Sequence, residues 1–224
     1  MNAGNALYYL PLSLLFNSSS IPAEIKVRIY DSYARHLLRL SYGQAMDIWW
    51  HRGNGSANES HYLQMCVYKT GSLAAFSAEL GAILGGAGDA LQKALSEFAT
   101  SIGVAFQIQD DILNIKPKSL EWGKEVGDDI KEGKRTLMVI RALQKLPKEG
   151  RVRLVEILNS RENSDADVRE AISLLEQAGG IEYAAAQAKK IVSKSWAKLG
   201  RALKDSPAKA LLREFADYLI NRGI

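Results

Sequence analysis

Apolar residues recur three and four positions apart along almost the whole of this 224-residue chain, and runs alternating apolar with polar residues are scarce. On a helix of about 3.6 residues per turn that spacing gathers apolar side chains into one stripe. The expected fold is therefore all-α. Breaks such as Asn17-Ser18-Ser19-Ser20, Arg52-Gly53-Asn54-Gly55, Gly85-Gly86 and Gly179-Gly180 separate the periodic stretches, which predicts about eight or nine helices. Asn163-Ser164-Asp165 and Ser206-Pro207 read as helix starts. No linker or repeat divides the chain, so one domain is expected over residues 1–224.

The first apolar stretch, Ala6 to Phe16, is too short to span a bilayer, and no Lys or Arg precedes Lys26. Neither a membrane span nor a secretory leader is expected. The stretch reads as a core-facing helix with Pro11 as a kink or boundary. With 29 Lys+Arg against 25 Asp+Glu the formal charge is only +4, which argues against nucleic acid as a partner. A single cysteine, Cys66, has no internal partner and lies between Met65 and Val67. It reads as a small buried hydrophobe, and a reducing, cytoplasmic compartment fits.

The stretch Phe106-Gln107-Ile108-Gln109-Asp110-Asp111-Ile112-Leu113-Asn114-Ile115 carries the most chemistry. At about 100° per residue from Asp110, Asn114 falls at about 40°, Gln107 at about 60° and Asp111 at about 100°. Gly103, at about 20° on the same face, leaves room for a bulky approach. Clustered oxygen side chains with no nearby His or Cys suit a hard cation such as Mg²⁺, which takes one or two carboxylates together with waters and phosphate oxygens. Such a pair also reads as solvated charge at a helix end, and the spacing alone does not choose. Downstream, Lys116 to Arg135 mixes Lys, Asp and Glu with three glycines and is expected to be a mobile loop.

These residues carry a resemblance. Gln107 to Asn114, followed by Gly123 to Leu137, resembles the second aspartate-rich motif and following loop of the trans-isoprenyl diphosphate synthases (polyprenyl synthetases), of which geranylgeranyl and farnesyl diphosphate synthases are the best-known members. Tyr42-Gly43-Gln44-Ala45-Met46-Asp47 is similar to the family's GQxxD helix, and Tyr68-Lys69-Thr70-Gly71 to its Lys-Thr pair. Asn2 to Leu7 and Asp217 to Arg222 resemble the start of the central helix and the closing helix.

The resemblance implies a helical-bundle prenyltransferase that joins isopentenyl diphosphate to an allylic diphosphate with Mg²⁺. It implies metal binding at Asp110, with Asp111 and Asn114 as neighbouring or water-mediated partners. It places Lys69 and Lys124 on the diphosphate, with Lys134 as a further cation, and Thr70 and Gln107 beneath a developing allylic cation. Gln44 and Asp47, on a face shared with His51, are expected to support the site. The family's first DDxxD motif has no counterpart, because no paired Asp occurs before residue 110. The chain thus resembles the last two-thirds to three-quarters of a synthase. Exposed apolar partners on Ala6 to Phe16 and Leu73 to Leu84 are then expected, together with association into a homodimer or a heteromer with a complete synthase. A non-catalytic regulatory subunit is the alternative.

Overall fold

The computed structural model describes residues 2–51, 58–116 and 126–221. In chain order the helices are α1 (Asn2–Tyr9), α2 (Leu12–Asn17), α3 (Ala23–His51) and α4 (Glu59–Cys66), then a single π-helical turn, Val67–Gly71, that runs straight into α5 (Ser72–Leu84). There follow α6 (Asp89–Ile115), α7 (Asp128–Lys131), α8 (Leu137–Lys145), α9 (Lys148–Asn159), α10 (Asp165–Gln177), α11 (Gly180–Ala202) and α12 (Pro207–Asn221). No strand occurs among the described residues, and the all-α expectation holds. The count among the described residues exceeds the eight or nine expected because Pro11 parts α1 from α2, the π-turn parts α4 from α5, and α7 forms inside the segment read as loop.

The caps are those the sequence signals. Ser164 accepts from the Asp167 amide while Asp167 reaches back to the Ser164 amide. Ser206 accepts from the Lys209 amide at 3.2 Å, and Pro207 opens α12. Each such cap contributes about 1 kcal/mol.

The centre of the fold is α6. From Phe98 onward it is buried nearly all round, with α5 along one side and α11 along another, and the π-turn, α4 and α12 packed on the rest. Phe98, Ile108 and Leu113 supply its fully enclosed apolar side chains. Further up, Glu79 of α5 pins α3 to α6 by accepting from Ser32 at 2.5 Å and Ser96 at 2.7 Å. Cys66 is fully buried, as expected.

The stretch Ala6 to Phe16 is not the core-facing helix its apolar spacing suggests but is exposed, as the resemblance implies: Leu7, Tyr8, Leu10, Leu14 and Phe16 are exposed, Leu14 to 75%. Two helices this short offer the bundle little surface: Leu12 and Leu15 are half-buried, and the Phe16 ring lies 5.6 Å from that of Tyr30. Leu73 and Leu84 are also exposed, as the sequence leads one to expect. No helix among the described residues is long and apolar enough to cross a membrane.

Candidate functional site

The last two turns of α6 meet the π-turn, α3 and α4 at one end of the bundle, and the polar side chains there form a connected network. Thr70 donates its hydroxyl hydrogen to Gln107 Oε1 at 2.7 Å. Gln107 in turn donates through Nε2 to Asp111 Oδ1 at 3.0 Å. The second Asp111 oxygen accepts from the Tyr62 hydroxyl of α4 at 2.6 Å. Lys69, beside Thr70, is ion-paired with Asp47 of α3. Between these groups lies a cavity of about 20 Å³ lined by Asp47, Tyr62, Lys69, Gln107, Asp111 and Lys134, room for about one water molecule.

The site residues expected from the sequence divide four ways. Lys69, Thr70, Gln107 and Asp111 are brought together as described. Asn114 and Lys134 instead organise the chain that returns after α6. Asn114 accepts through Oδ1 from the Asp129 amide at 3.1 Å and through its carbonyl from the Gly127 amide at 2.9 Å. Lys134 pairs with Asp129 and, at 3.2 Å, with Glu132. Asp110 stands half-buried at the edge of the site, close enough to Asp129 to disturb its titration. Lys124 lies outside the described residues, as does the side chain of His51. Gln44 faces solvent while Asp47 is buried, so these two do not act on one face.

Electrostatics mark the acidic end as short of positive charge. Burial pushes the Asp111 carboxyl up to about 7, against the lowering effect of the Tyr62 hydrogen bond, and the neighbouring Asp129 adds to the rise. Burial also raises Asp129, offset by Lys134 and reinforced by Glu132 and Asp110. Although burial works against its charge, the Asp129 carboxylate holds the Lys134 ammonium above the ordinary lysine range. Asp110, Asp111 and Asp129 thus influence one another's charge, with Lys134 paired to Asp129, so added positive charge would be favourable at this end. No three His, Cys, Asp or Glu side chains among the described residues are gathered tightly enough to hold a metal by themselves, so waters or ligand oxygens would complete its shell.

Away from the acidic end, and starting at Thr70, an apolar trough of about 500 Å³ runs between α5, α6 and α12. Ala74, Ala78, Ile102, Phe106 and Phe215 line it. An anionic group at one end and a hydrocarbon chain along the trough is the kind of ligand this arrangement accommodates.

Sequence reasoning missed Tyr62 and Asp129. An aromatic on an amphipathic helix reads as core, and nothing local shows that its hydroxyl ends on a carboxylate 49 residues away. Asp129 lies in the segment expected to be a mobile loop, whereas it is only 7% exposed. Gly103 does leave room on the α6 face, but what enters is the backbone of Thr70 and Gly71.

The Lys69–Asp47 pair yields a stability prediction. Asp47 is the more enclosed partner, its side chain 8% exposed against 28% for Lys69. Lys69→Met therefore leaves a buried carboxylate without its lysine and is expected to cost about 3 kcal/mol. Asp47→Asn, which lets the lysine turn to water, costs only about 1 kcal/mol. Urea unfolding of the two variants checks the order.

The comparisons with known proteins point one way. The family profile for polyprenyl synthetase matches residues 1–175. A geranylfarnesyl diphosphate synthase from Natronomonas pharaonis is 35% identical over 222 residues, covering 99% of this chain and 62% of that protein. A geranylgeranyl pyrophosphate synthetase structure from Pyrococcus horikoshii superposes with a TM-score of 0.80 at 34% identity, covering 91% of this chain and 61% of that one. A geranylgeranyl pyrophosphate synthase from Corynebacterium glutamicum, complexed with isoprenyl diphosphate and magnesium, gives a TM-score of 0.82 at 26% identity, with 91% and 58% covered. The chain spans 62 to 66% of the length of the first three curated relatives it matches.

Proposed function

The chain belongs to the polyprenyl synthetase family, and from that premise we propose that it is a prenyltransferase condensing isopentenyl diphosphate with an allylic diphosphate. The observation that carries the reading is the junction of an acidic end with an apolar trough at Thr70 and Gln107. In the reaction the allylic C–O bond breaks and its electron pair leaves with the diphosphate. The double bond of isopentenyl diphosphate then attacks the freed carbon, and the cationic adduct loses a proton to the departed diphosphate.

Asp110, at the edge of the site, would hold Mg²⁺, with Asp111 behind it. When bound, the ion supplies the positive charge that lets a carboxylate and a diphosphate meet. Without one, a carboxylate 4 Å from a phosphate oxygen is repelled by about 4 kcal/mol at an effective dielectric of about 20. Lys69 would add a point charge toward the leaving diphosphate. Lys124, in the segment after α6, and Lys134 are the remaining candidate cations. Thr70 has given its hydrogen to Gln107, so its oxygen keeps its lone pairs for positive charge developing at the head of the trough. The trough would hold the hydrocarbon chain and keep water from the reacting carbon.

The test is a transfer assay on the purified chain with magnesium, labelled isopentenyl diphosphate and, in turn, dimethylallyl, geranyl and farnesyl diphosphate. Turnover is expected. Absence of both turnover and magnesium-dependent binding of any allylic diphosphate would overturn the reading. Binding without turnover would favour the regulatory subunit.

The exposed apolar side chains of α1 to α3, among them Leu7, Leu14, Phe16, Leu38 and Tyr42, support association with a second copy of the chain. Sedimentation equilibrium is expected to show concentration-dependent association, weakened at least tenfold by Leu14→Glu with Leu38→Glu. An unchanged monomer across concentrations would contradict it.

A further inference from the structure

Lys69 and Thr70 sit on a π-helical turn, the one place in the described helices where an extra residue is inserted. Ser72 Oγ reaches the Val67 carbonyl five residues back, at 3.4 Å. The insertion turns the following residues by about 100° relative to an α-helix, so it decides which way these two side chains aim. Two glycines lie against it. A Cβ on Gly43 of α3 would overlap the Lys69 amide nitrogen and stand 2.7 Å from Lys69 Cα. A Cβ on Gly103 of α6 would stand 2.7 Å from Gly71 Cα and 3.1 Å from the Thr70 carbonyl oxygen. The turn is thus gripped between two helices at backbone contact.

The same pattern appears on both sides. Four residues after Gly43, one helical turn on, Asp47 takes the Lys69 ammonium. Four residues after Gly103, Gln107 takes the Thr70 hydroxyl. Each helix admits the backbone of the turn at a glycine and, one turn later, holds the side chain which that stretch presents.

We infer that Gly43 and Gly103 are positioning residues for the reaction, acting through the π-turn to aim Lys69 and Thr70. The inference rests on the proposed prenyl transfer for its activity arm only. A methyl group at either glycine pushes the turn away from its helix and separates Lys69 from Asp47, or Thr70 from Gln107, while the remaining core contacts stay. Misplacing a reacting group by about 1 Å lowers rates by about a hundredfold, and that is the loss in kcat expected of Gly43→Ala and of Gly103→Ala.

The experiment compares Gly43→Ala, Gly103→Ala and, as a control, Gly81→Ala, whose added Cβ meets nothing within 4 Å. Circular dichroism reports folding, the assay reports kcat, and urea unfolding is repeated with Lys69→Met added to each background. In the native and Gly81→Ala backgrounds Lys69→Met is expected to lower the urea midpoint by the same amount. In the Gly43→Ala background that shift is expected to fall below one third, because the ion pair is already lost. Gly103→Ala is expected to lose kcat with that shift largely kept, since it acts on Thr70. A shift undiminished in a folded Gly43→Ala protein overturns the proposal, as do folded alanine variants that keep kcat within threefold of the parent. If both alanine variants fail to fold, the glycines serve the fold as a whole and the proposal is wrong. An inactive parent protein counts against the prenyl-transfer reading alone, and the urea arm still decides on the clamp.

Discussion

Replacing Asp111 by asparagine is expected to stabilise the protein by up to about 4 kcal/mol at pH 8 and to leave it almost unchanged near pH 4. The carboxyl is buried against Tyr62 and Gln107, and burial raises it from 3.8 to about 7. Well below pH 4 the folded and unfolded chains both carry it protonated, so a neutral amide gains nothing, and near pH 4 the gain is still small. Between about pH 4 and pH 7 the unfolded chain ionises while the folded chain holds its proton, and native stability falls by about 1.4 kcal/mol per pH unit. Over the roughly three units of the shift this amounts to about 4 kcal/mol, complete above pH 7. The amide fits the same bonds, since its oxygen accepts from Tyr62 and Gln107 can turn its own amide to follow. Urea unfolding of both proteins at pH 4 and pH 8 measures the difference, and an equal gap at the two pH values would sink the idea. A carboxylate retained at such a loss is a feature of functional sites, where stability is given up for charge.

How far such features are legible in sequence depends on what kind of interaction makes them. Helix periodicity and caps are local, so α10 and α12 start where Ser164 and Ser206-Pro207 place them. The face shared by Gln107, Asp110, Asp111 and Asn114 is also local, being a matter of about 100° per residue. Which part of that face other helices cover is not local. Tyr62 arrives from 49 residues away and encloses Asp111, and the chain from Gly127 to Asp129 returns to enclose Asn114. The face therefore splits into an accessible edge at Asp110 and a buried wall behind it. Gly103 shows the same division: the gap it leaves is legible, but its filling by the π-turn depends on a one-residue insertion without a periodic signature. The exposed Leu14 and Phe16 mark the opposite failure, where apolar spacing predicts a helix face but supplies no neighbour for it.

Asp110→Ala should separate the edge from the wall, with a loss of at least a hundredfold in kcat/KM for prenyl transfer and little change in stability. Asp110 is only half-buried, so truncating it opens no closed cavity, and the cost in stability is expected to be about 1 kcal/mol. It also removes a like charge that helps push Asp129 up, which works slightly in the variant's favour. The catalytic effect is of another order. If Asp110 brings the cation to the diphosphate, its loss removes charge stabilisation present chiefly as the C–O bond breaks, and a single such preorganised group is worth about a hundredfold to a thousandfold. The magnesium concentration giving half-maximal rate should rise with it, since one of few carboxylate ligands is gone. Asp111→Asn and Asp110→Ala are then opposite in character: the first gains stability with pH and the second loses rate at nearly constant stability. Turnover by Asp110→Ala within threefold of the parent, at unchanged magnesium demand, would remove Asp110 from the metal site and leave the acidic end without an accessible ligand on α6.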